Sequence, residues 1–394
     1  MSVKMLHTSD FHLSNTSSVK IERSIKHVNV PVNIRTIDAF RKIRTTVEYA
    51  IEEGVKYFVI AGDVYDRPTQ PMWLKRWFAK YVKMLLKNKI YTIILVGNHD
   101  SDGQISAFSD IKEMTFDSKY LYVIEKPCTK DIGSMRFHFV PYLTPDNITL
   151  KSAILHAKES RDFKKPNVLV GHFGVNGAIV GANEHVMESD IDPRMLAGFS
   201  YVALGDYHKY QKLGEGGLRK ANEIFYAGSL QRINMSEPEK KGFNVVTFDS
   251  PTNLPIVGFQ HIPDRQYLQF KTKYVNYKKM LKMLREGKKF KLGGKTIKKK
   301  SIVKLVITVT KEQKLTVSTK ELNGLFKNIY GTEVVMVDYD IRKTKKDRVT
   351  GLNVHTDPEE YVKSYMKENA PPANVSPERA YNTMIKLLKE AQDD

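Results

Sequence analysis

The stretch Tyr57-Phe58-Val59-Ile60-Ala61-Gly62-Asp63-Val64-Tyr65-Asp66 sets the reading of this chain. A short apolar run reads as a strand, a glycine ends it, and two carboxylates follow. The same grammar recurs downstream. Tyr91–Val96 runs into Gly97-Asn98-His99-Asp100, and Val168–Val170 runs into Gly171-His172. Asp10-x-His12 and Gly205-Asp206-x-His208 complete five motifs within the first 208 residues. Asp, Asn and His bind divalent metals through hard oxygen or imidazole nitrogen.

One such motif alone reads as a polar loop or a turn. Five in this order, three directly after strand-like runs, imply ligands that converge, because open α/β sheets bind ligands outside their strand ends. The pattern is that of a two-metal phosphoesterase centre.

Working outward, Ile34–Gly54 carries Ile37, Phe40, Ile43, Val47, Ala50 and Ile51 near helical period and ends at a glycine. Pro71–Asn88 is a second predicted helix. Phe137–Val140, Val202–Leu204, Ile224–Tyr226 and Asn244–Phe248 read as further strands. Early βα units followed by a strand-rich tail predict an α/β fold with two packed sheets and helices outside. This first domain is bounded at 1–250.

A small α+β domain is expected at 254–342, with helices at Lys273–Arg285 and Thr319–Lys327 and strands at Ile302–Thr310 and Glu333–Tyr339. A linker at 343–356 leads to a helical hairpin at 357–394. Its first helix opens on Asp357-Pro358-Glu359-Glu360, with an N-cap and Pro at the first helical position. Its second carries Ala380, Met384, Leu387, Leu388 and Ala391 as an apolar stripe, suited either to docking on a partner or to packing on its own domain.

The chain has 394 residues, 41% of them hydrophobic, enough for two or three domains with real cores. No apolar run is long enough to span a bilayer, so no membrane association is expected. The start of the sequence has no signal-peptide core, and Cys128 is the only cysteine, which points to a reducing cytoplasm. Net charge is +19, and most of it is local: Arg265–Arg348 holds 24 Lys or Arg against 7 Asp or Glu. A strongly basic segment beside a nearly neutral one argues for a polyanionic partner. Lys288, Lys289, Lys291, Lys295, Lys298, Lys299 and Lys300 form its densest run. Taken alone, that run also reads as a solvated loop. Together with phosphoester chemistry upstream, it favours DNA.

The five motifs resemble those of the calcineurin-like metallophosphoesterases. Within that superfamily, Tyr226-Ala227-Gly228-Ser229-Leu230, Glu237 and Lys241-Gly242-Phe243 resemble the end of the nuclease domain in the SbcD/Mre-eleven family of DNA double-strand-break nucleases. The compact length would suit a bacterial or a bacteriophage version, acting in the bacterial cell or the host cytoplasm. The resemblance implies a two-sheet sandwich flanked by helices, with a capping domain and a C-terminal segment that docks on an SbcC/Rad-fifty-type ATPase.

It further implies two divalent metal ions, Mn²⁺ preferred and Mg²⁺ possible. Asp10, His12, Asp63 and His208 would hold one, and Asp63, Asn98, His172 and Asp206 the other, with Asp63 bridging. A bridging carboxylate suits two cations about 3.5–4 Å apart. His99 would sit beside the metals as the catalytic proton donor. Asp206 departs from the family, which has His there, but an aspartate is a competent hard ligand. Asp66 would fix its loop or orient a ligand histidine.

Trp73 and Trp77, one helical turn apart, read first as core packing. The family adds a homodimer interface. The function implied is a Mn²⁺-dependent DNA nuclease, a 3′-to-5′ exonuclease and single-strand endonuclease that processes ends in double-strand-break repair and recombination. The rivals are a metallophosphatase or phosphodiesterase of the same superfamily acting on another substrate, and a non-catalytic DNA-binding subunit. Phosphatases place Arg before Gly-Asn-His, where this chain has Val96.

Overall fold

A computed structural model describes residues 2–16, 22–26, 28–111, 113, 118–143, 150–181, 184–214, 223–234, 237, 239–250, 254–341, 357–369, 371 and 375–390. The expected linker 343–356 and Ala391 lie outside the described residues. The chain divides into two compact units, Met1–Arg265 and Gln266–Asp394.

Unit 1 holds two six-stranded sheets. The first runs, edge to edge, Ile256–His261, Gly242–Phe248, Val3–Thr8, Tyr57–Ala61, Tyr91–Leu95 and Leu121–Ile124. Its last four strands are parallel. The second runs Gln211–Leu213, Glu223–Tyr226, Tyr201–Gly205, Asn167–His172, Met135–Val140 and Cys128–Ile132. Its four central strands are parallel.

The motif-bearing strands Tyr57–Ala61, Tyr91–Leu95 and Tyr201–Gly205 are largely apolar because both faces are covered, whereas Val3–Thr8 also carries Lys4, His7 and Thr8. In Tyr57–Ala61, Phe58 and Ile60 pack outward with helices Ile34–Glu52 and Met72–Lys87. Tyr57, Val59 and Ala61 pack inward among residues of both sheets, with Phe137, Val168 and Tyr201. Leu169 and Val202 alternate out of that inner core to an outer one shared with helix Leu150–Glu159. The result is the expected two-sheet sandwich with helices outside. Full burial of each Leu, Ile, Val or Phe contributes roughly 1.5–3 kcal/mol, so the central strands are fixed well enough to hold loops at their ends.

Trp77 stacks on Phe40 with ring centroids 4.1 Å apart. Trp73 and Trp77 are both half-buried against the outer core of their own unit.

Unit 2 has three parallel strands, Tyr267–Lys273, Ile302–Val309 and Val334–Ile341, in that spatial order. Helices Tyr274–Arg285 and Thr319–Tyr330 lie in the crossovers and share its core. Further on, Pro358–Glu368 and Pro377–Glu390 are helices that lie against one another. Asp357 caps the first, accepting from the Glu359 N–H at 2.9 Å. Ala380 and Met384 are half-buried and Leu387 is exposed, while the Leu388 side chain lies outside what is described.

Candidate metal centre

All five motifs meet at the carboxyl ends of parallel strands. Asp10 and His12 follow Val3–Thr8, Asp63 follows Tyr57–Ala61, and Asn98 and His99 follow Tyr91–Leu95. His172 ends Asn167–His172, and Asp206 and His208 follow Tyr201–Gly205. The first two loops remain zipped together beyond the sheet: the Asp10 N–H donates to the Gly62 carbonyl and the His12 N–H to the Asp63 carbonyl, each at 3.0 Å. Asp10, His12, Asp63 and Asp206 all have positive φ, at 54°, 43°, 53° and 97°. Non-glycine residues rarely adopt this region, and such strain concentrates at functional sites.

Three carboxylate–imidazole clusters form here, each with ligand atoms within 4.8 Å of one another: Asp10, His12 and His208; His12, Asp63 and His99; Asp10, Asp63 and His172. Asp10, Asp63 and His172 are buried, and His12 nearly so. His12 and His208 bring their Nε2 atoms to 3.1 Å. Two ring nitrogens this close share a proton, or, when both are unprotonated, could share a cation. His172 donates from Nδ1 to the Ala61 carbonyl at 2.8 Å, so Nε2 is the nitrogen that faces the site, 2.9 Å from Asn98 Oδ1 and 3.4 Å from Asp63 Oδ1. Such an outer hydrogen bond fixes the tautomer of a ligand histidine. The donor set of carboxylate, imidazole and amide oxygen fits two hard or borderline divalent ions.

Asp206 belongs to none of the three clusters. Its N–H donates to Asp10 Oδ1 at 3.2 Å, and burial raises its carboxyl pKa against the pull of His172 and His208. Burial likewise raises Asp10 to about 6. For Asp63, burial is outweighed by His172, His12 and the His99 N–H, which hold it near 2.

His99 lies 4.8 Å from His12, ring centroid to centroid. Its N–H donates to Asp63 Oδ1 at 3.0 Å, and its Nδ1 donates to the Asp66 carbonyl at 2.9 Å. The Asp66 carboxylate is 3.8 Å from His12 Nδ1, an orienting position.

Two supporting groups carried no role in the sequence reading. Asp100 is fully buried and accepts from the N–H groups of Val64, Tyr65 and Gly97 at 3.3, 2.9 and 3.1 Å. It ties the Asp63 loop to the Asn98 loop. Lys241, also buried, donates to the His208 carbonyl at 2.9 Å and pairs with Glu237 at 2.7 Å. Glu237 in turn lies 3.7 Å from His208 Nδ1.

The seven lysines of the basic run are all exposed in unit 2. Lys288 is held by Glu286 at 2.8 Å. No described helix is long and apolar enough to cross a membrane.

Among known proteins, the SbcD component of the nuclease SbcCD from Staphylococcus saprophyticus is 25% identical over 270 residues, 62% of this chain and 65% of that protein. Its counterpart in Escherichia coli is 24% identical over 284 residues, 63% of this chain and 66% of that protein. This chain therefore matches just under two thirds of the length of either relative. A DNA double-strand break repair protein Mre11, from Sulfurisphaera tokodaii, is 24% identical over 291 residues, covering 72% and 69% of the two chains. The relation to SbcD and Mre11 proteins is distant. Residues 3–228, more than half of the chain, match the family model of the calcineurin-like phosphoesterases. With a candidate dimetal site at the strand ends, the chain belongs to this metallophosphoesterase family.

Proposed function

We propose that this chain is the nuclease subunit of a DNA end-processing assembly. It cleaves backbone phosphodiesters in a Mn²⁺-dependent reaction, as a 3′-to-5′ exonuclease and single-strand endonuclease. The observation that carries the reading is the convergence of the His12, His208 and His172 Nε2 atoms with the Asp10 and Asp63 carboxylates at the strand ends of the two sheets. The names of the relatives and the basic charge of unit 2 support DNA as substrate.

Asp10, His12, Asp63 and His208 would hold one ion, and Asp63, Asn98, His172 and Asp206 the other. When bound, the ions polarise the phosphodiester and activate a water for attack. His99, whose Nδ1 is taken up by the Asp66 carbonyl, would use Nε2 to protonate the leaving oxygen. Asp66 and Glu237 orient His12 and His208 through their Nδ1 atoms. Residues 254–342, of which those from Gln266 on lie in unit 2, take the capping role, with Lys288–Lys300 on phosphates. Residues 343–356 link them to a 357–394 segment that docks on an SbcC/Rad-fifty-type ATPase through Ala380, Met384, Leu387 and Leu388. Trp73 and Trp77 serve a homodimer.

The test is cleavage of bis-p-nitrophenyl phosphate against the monoester, and of end-labelled single- and double-stranded DNA, with Mn²⁺ or Mg²⁺. Diesterase and DNA cleavage that need metal support the reading. Monoester hydrolysis without DNA cleavage turns it to a phosphatase.

A further inference from the structure

Within unit 2, strand Tyr267–Lys273, helix Tyr274–Arg285 and the segment around Phe290 border a groove of about 630 Å³. Lys271, Lys273, Lys279 and Lys291 line it, together with Phe270 and Phe290, and among the described residues no Asp or Glu does. All four lysines are exposed. None makes an ion pair among the described residues, in contrast to Lys304, held by Asp338 at 2.7 Å. Four unneutralised charges around one groove select an anion.

The rings narrow the choice. Phe290 is held on both sides by one tyrosine: its N–H donates to the Tyr330 hydroxyl at 2.6 Å, and that hydroxyl donates to the Phe290 carbonyl at 3.1 Å. Its ring meets Phe326 and Tyr330 edge-on, with centroids 6.1 and 5.9 Å away. A fixed aromatic among lysines suits a planar base attached to phosphate. The volume lies within the range of ligand pockets, roughly 300–1,000 Å³. A duplex keeps its bases stacked inside, out of reach of such a ring, whereas an unpaired strand exposes them. An acidic peptide would satisfy the lysines and leave the rings unused.

We infer that this groove binds a single-stranded nucleic acid segment, with a base against Phe290 and phosphates on Lys271, Lys273, Lys279 and Lys291. The inference rests on the nucleic-acid reading above and adds a second, non-catalytic contact that prefers unpaired strand.

The experiment is fluorescence anisotropy of the full chain, in EDTA, with a labelled short oligothymidine and with a duplex of equal length. Without metal no hydrolysis occurs, so a dead metal centre and an empty groove are distinguishable. Oligothymidine should bind more tightly than duplex at equal salt. Phe290→Leu, which keeps the apolar volume, should weaken oligothymidine about tenfold and leave duplex unchanged. The double variant Lys279→Glu, Lys291→Glu changes only exposed positions. It should flatten the salt dependence by about 0.7 in log–log slope per lost contact on single strands.

Unchanged oligothymidine binding in that double variant, with a native circular dichroism spectrum, overturns the inference even if Phe290→Leu fails to fold. Displacement of the oligomer by an equal concentration of AMP overturns it in favour of a free nucleotide. Displacement by polyglutamate overturns it in favour of an acidic peptide.

Discussion

The Nδ1 atom of His99 lies 2.9 Å from the carbonyl oxygen of Asp66. A carbonyl only accepts, so Nδ1 carries a proton and the ring's other nitrogen is the one left for chemistry. His172 makes the same kind of bond, to the Ala61 carbonyl, so it is the proposed scheme that gives His99 proton transfer and leaves the cations to His12, His172 and His208. His99→Ala should therefore retain both metals by elemental analysis and lose about 10²–10⁴-fold in diester turnover, the usual contribution of a general acid. Loss of metal in this variant would make His99 a ligand instead.

Asp63 takes part in two of the three ligand clusters, one with His12 and one with His172. Asp63→Asn should empty both sites together and abolish turnover. Asp206 is less entrenched, since it joins no cluster. Asp206→Ala should raise the Mn²⁺ concentration needed for half-maximal activity without abolishing it, and Asp206→His should restore much of the difference. An unchanged Mn²⁺ titration in Asp206→Ala would leave that residue a purely structural task.

Gly97 is a glycine because of Asp63. A Cβ there would sit 2.1 Å from Asp63 Oδ1 and 2.6 Å from its backbone nitrogen. Gly97→Ala must push the Asp63 loop aside, at a cost of roughly 1–3 kcal/mol, and should lower metal content as well. Gly54 is the control. It has φ of 62° but open space around it, so Gly54→Ala should cost about 1 kcal/mol from backbone strain alone and leave metal content intact. Melting curves and elemental analysis of the two variants check this.

These positions show what the sequence could carry. The strand-then-ligand grammar at Tyr57–Asp66 was readable because both faces of that strand are covered, which makes its run uniformly apolar. The helix at Ile34 was readable from its period, and it ends at Glu52, two residues before the glycine that marks its stop. Asp100 was visible only as a letter in its motif. Its role depends on N–H groups of Val64 and Tyr65, more than thirty residues away, and no local pattern encodes that. Nor does any local signal put His12 at φ 43°. Backbone bonds to the Asp63 loop impose it from outside. In unit 2 the lysines are densest in sequence at 288–300, whereas the groove gathers Lys271, Lys273 and Lys279 with Lys291 by bringing a strand, a helix and the segment around Phe290 together.

Glu237 gives a pH signature. Burial raises its pKa, but His208, Lys241 and the Asn234 N–H outweigh that and hold it near 2 instead of the ordinary 4.5. A depressed carboxylate contributes stability that is fully present above about pH 4.5 and is lost as pH falls towards 2. In metal-free protein, Glu237→Gln should be destabilised on the order of 1–3 kcal/mol at pH 7. The gap to wild type should narrow between pH 4.5 and 3 in urea titrations. A constant gap across that range would assign Glu237 a packing role without a charge role.

The C-terminal helices bear on partnership. In Pro377–Glu390, Leu387 is 59% exposed, and an isolated pair of helices this short is marginal in water. An apolar stripe left partly uncovered is the anchor pattern of helix-in-groove recognition. Deleting residues 352–394 should therefore spare metal-dependent cleavage of bis-p-nitrophenyl phosphate, because the ligand clusters found among the described residues all lie in unit 1. It should abolish co-purification with an SbcC-type ATPase. Leu387→Glu in the full chain should have the same effect on co-purification with no change in melting temperature, since an exposed position contributes little to the fold. Normal ATPase binding by Leu387→Glu, or a drop in its melting temperature, would show that the stripe packs on its own domain.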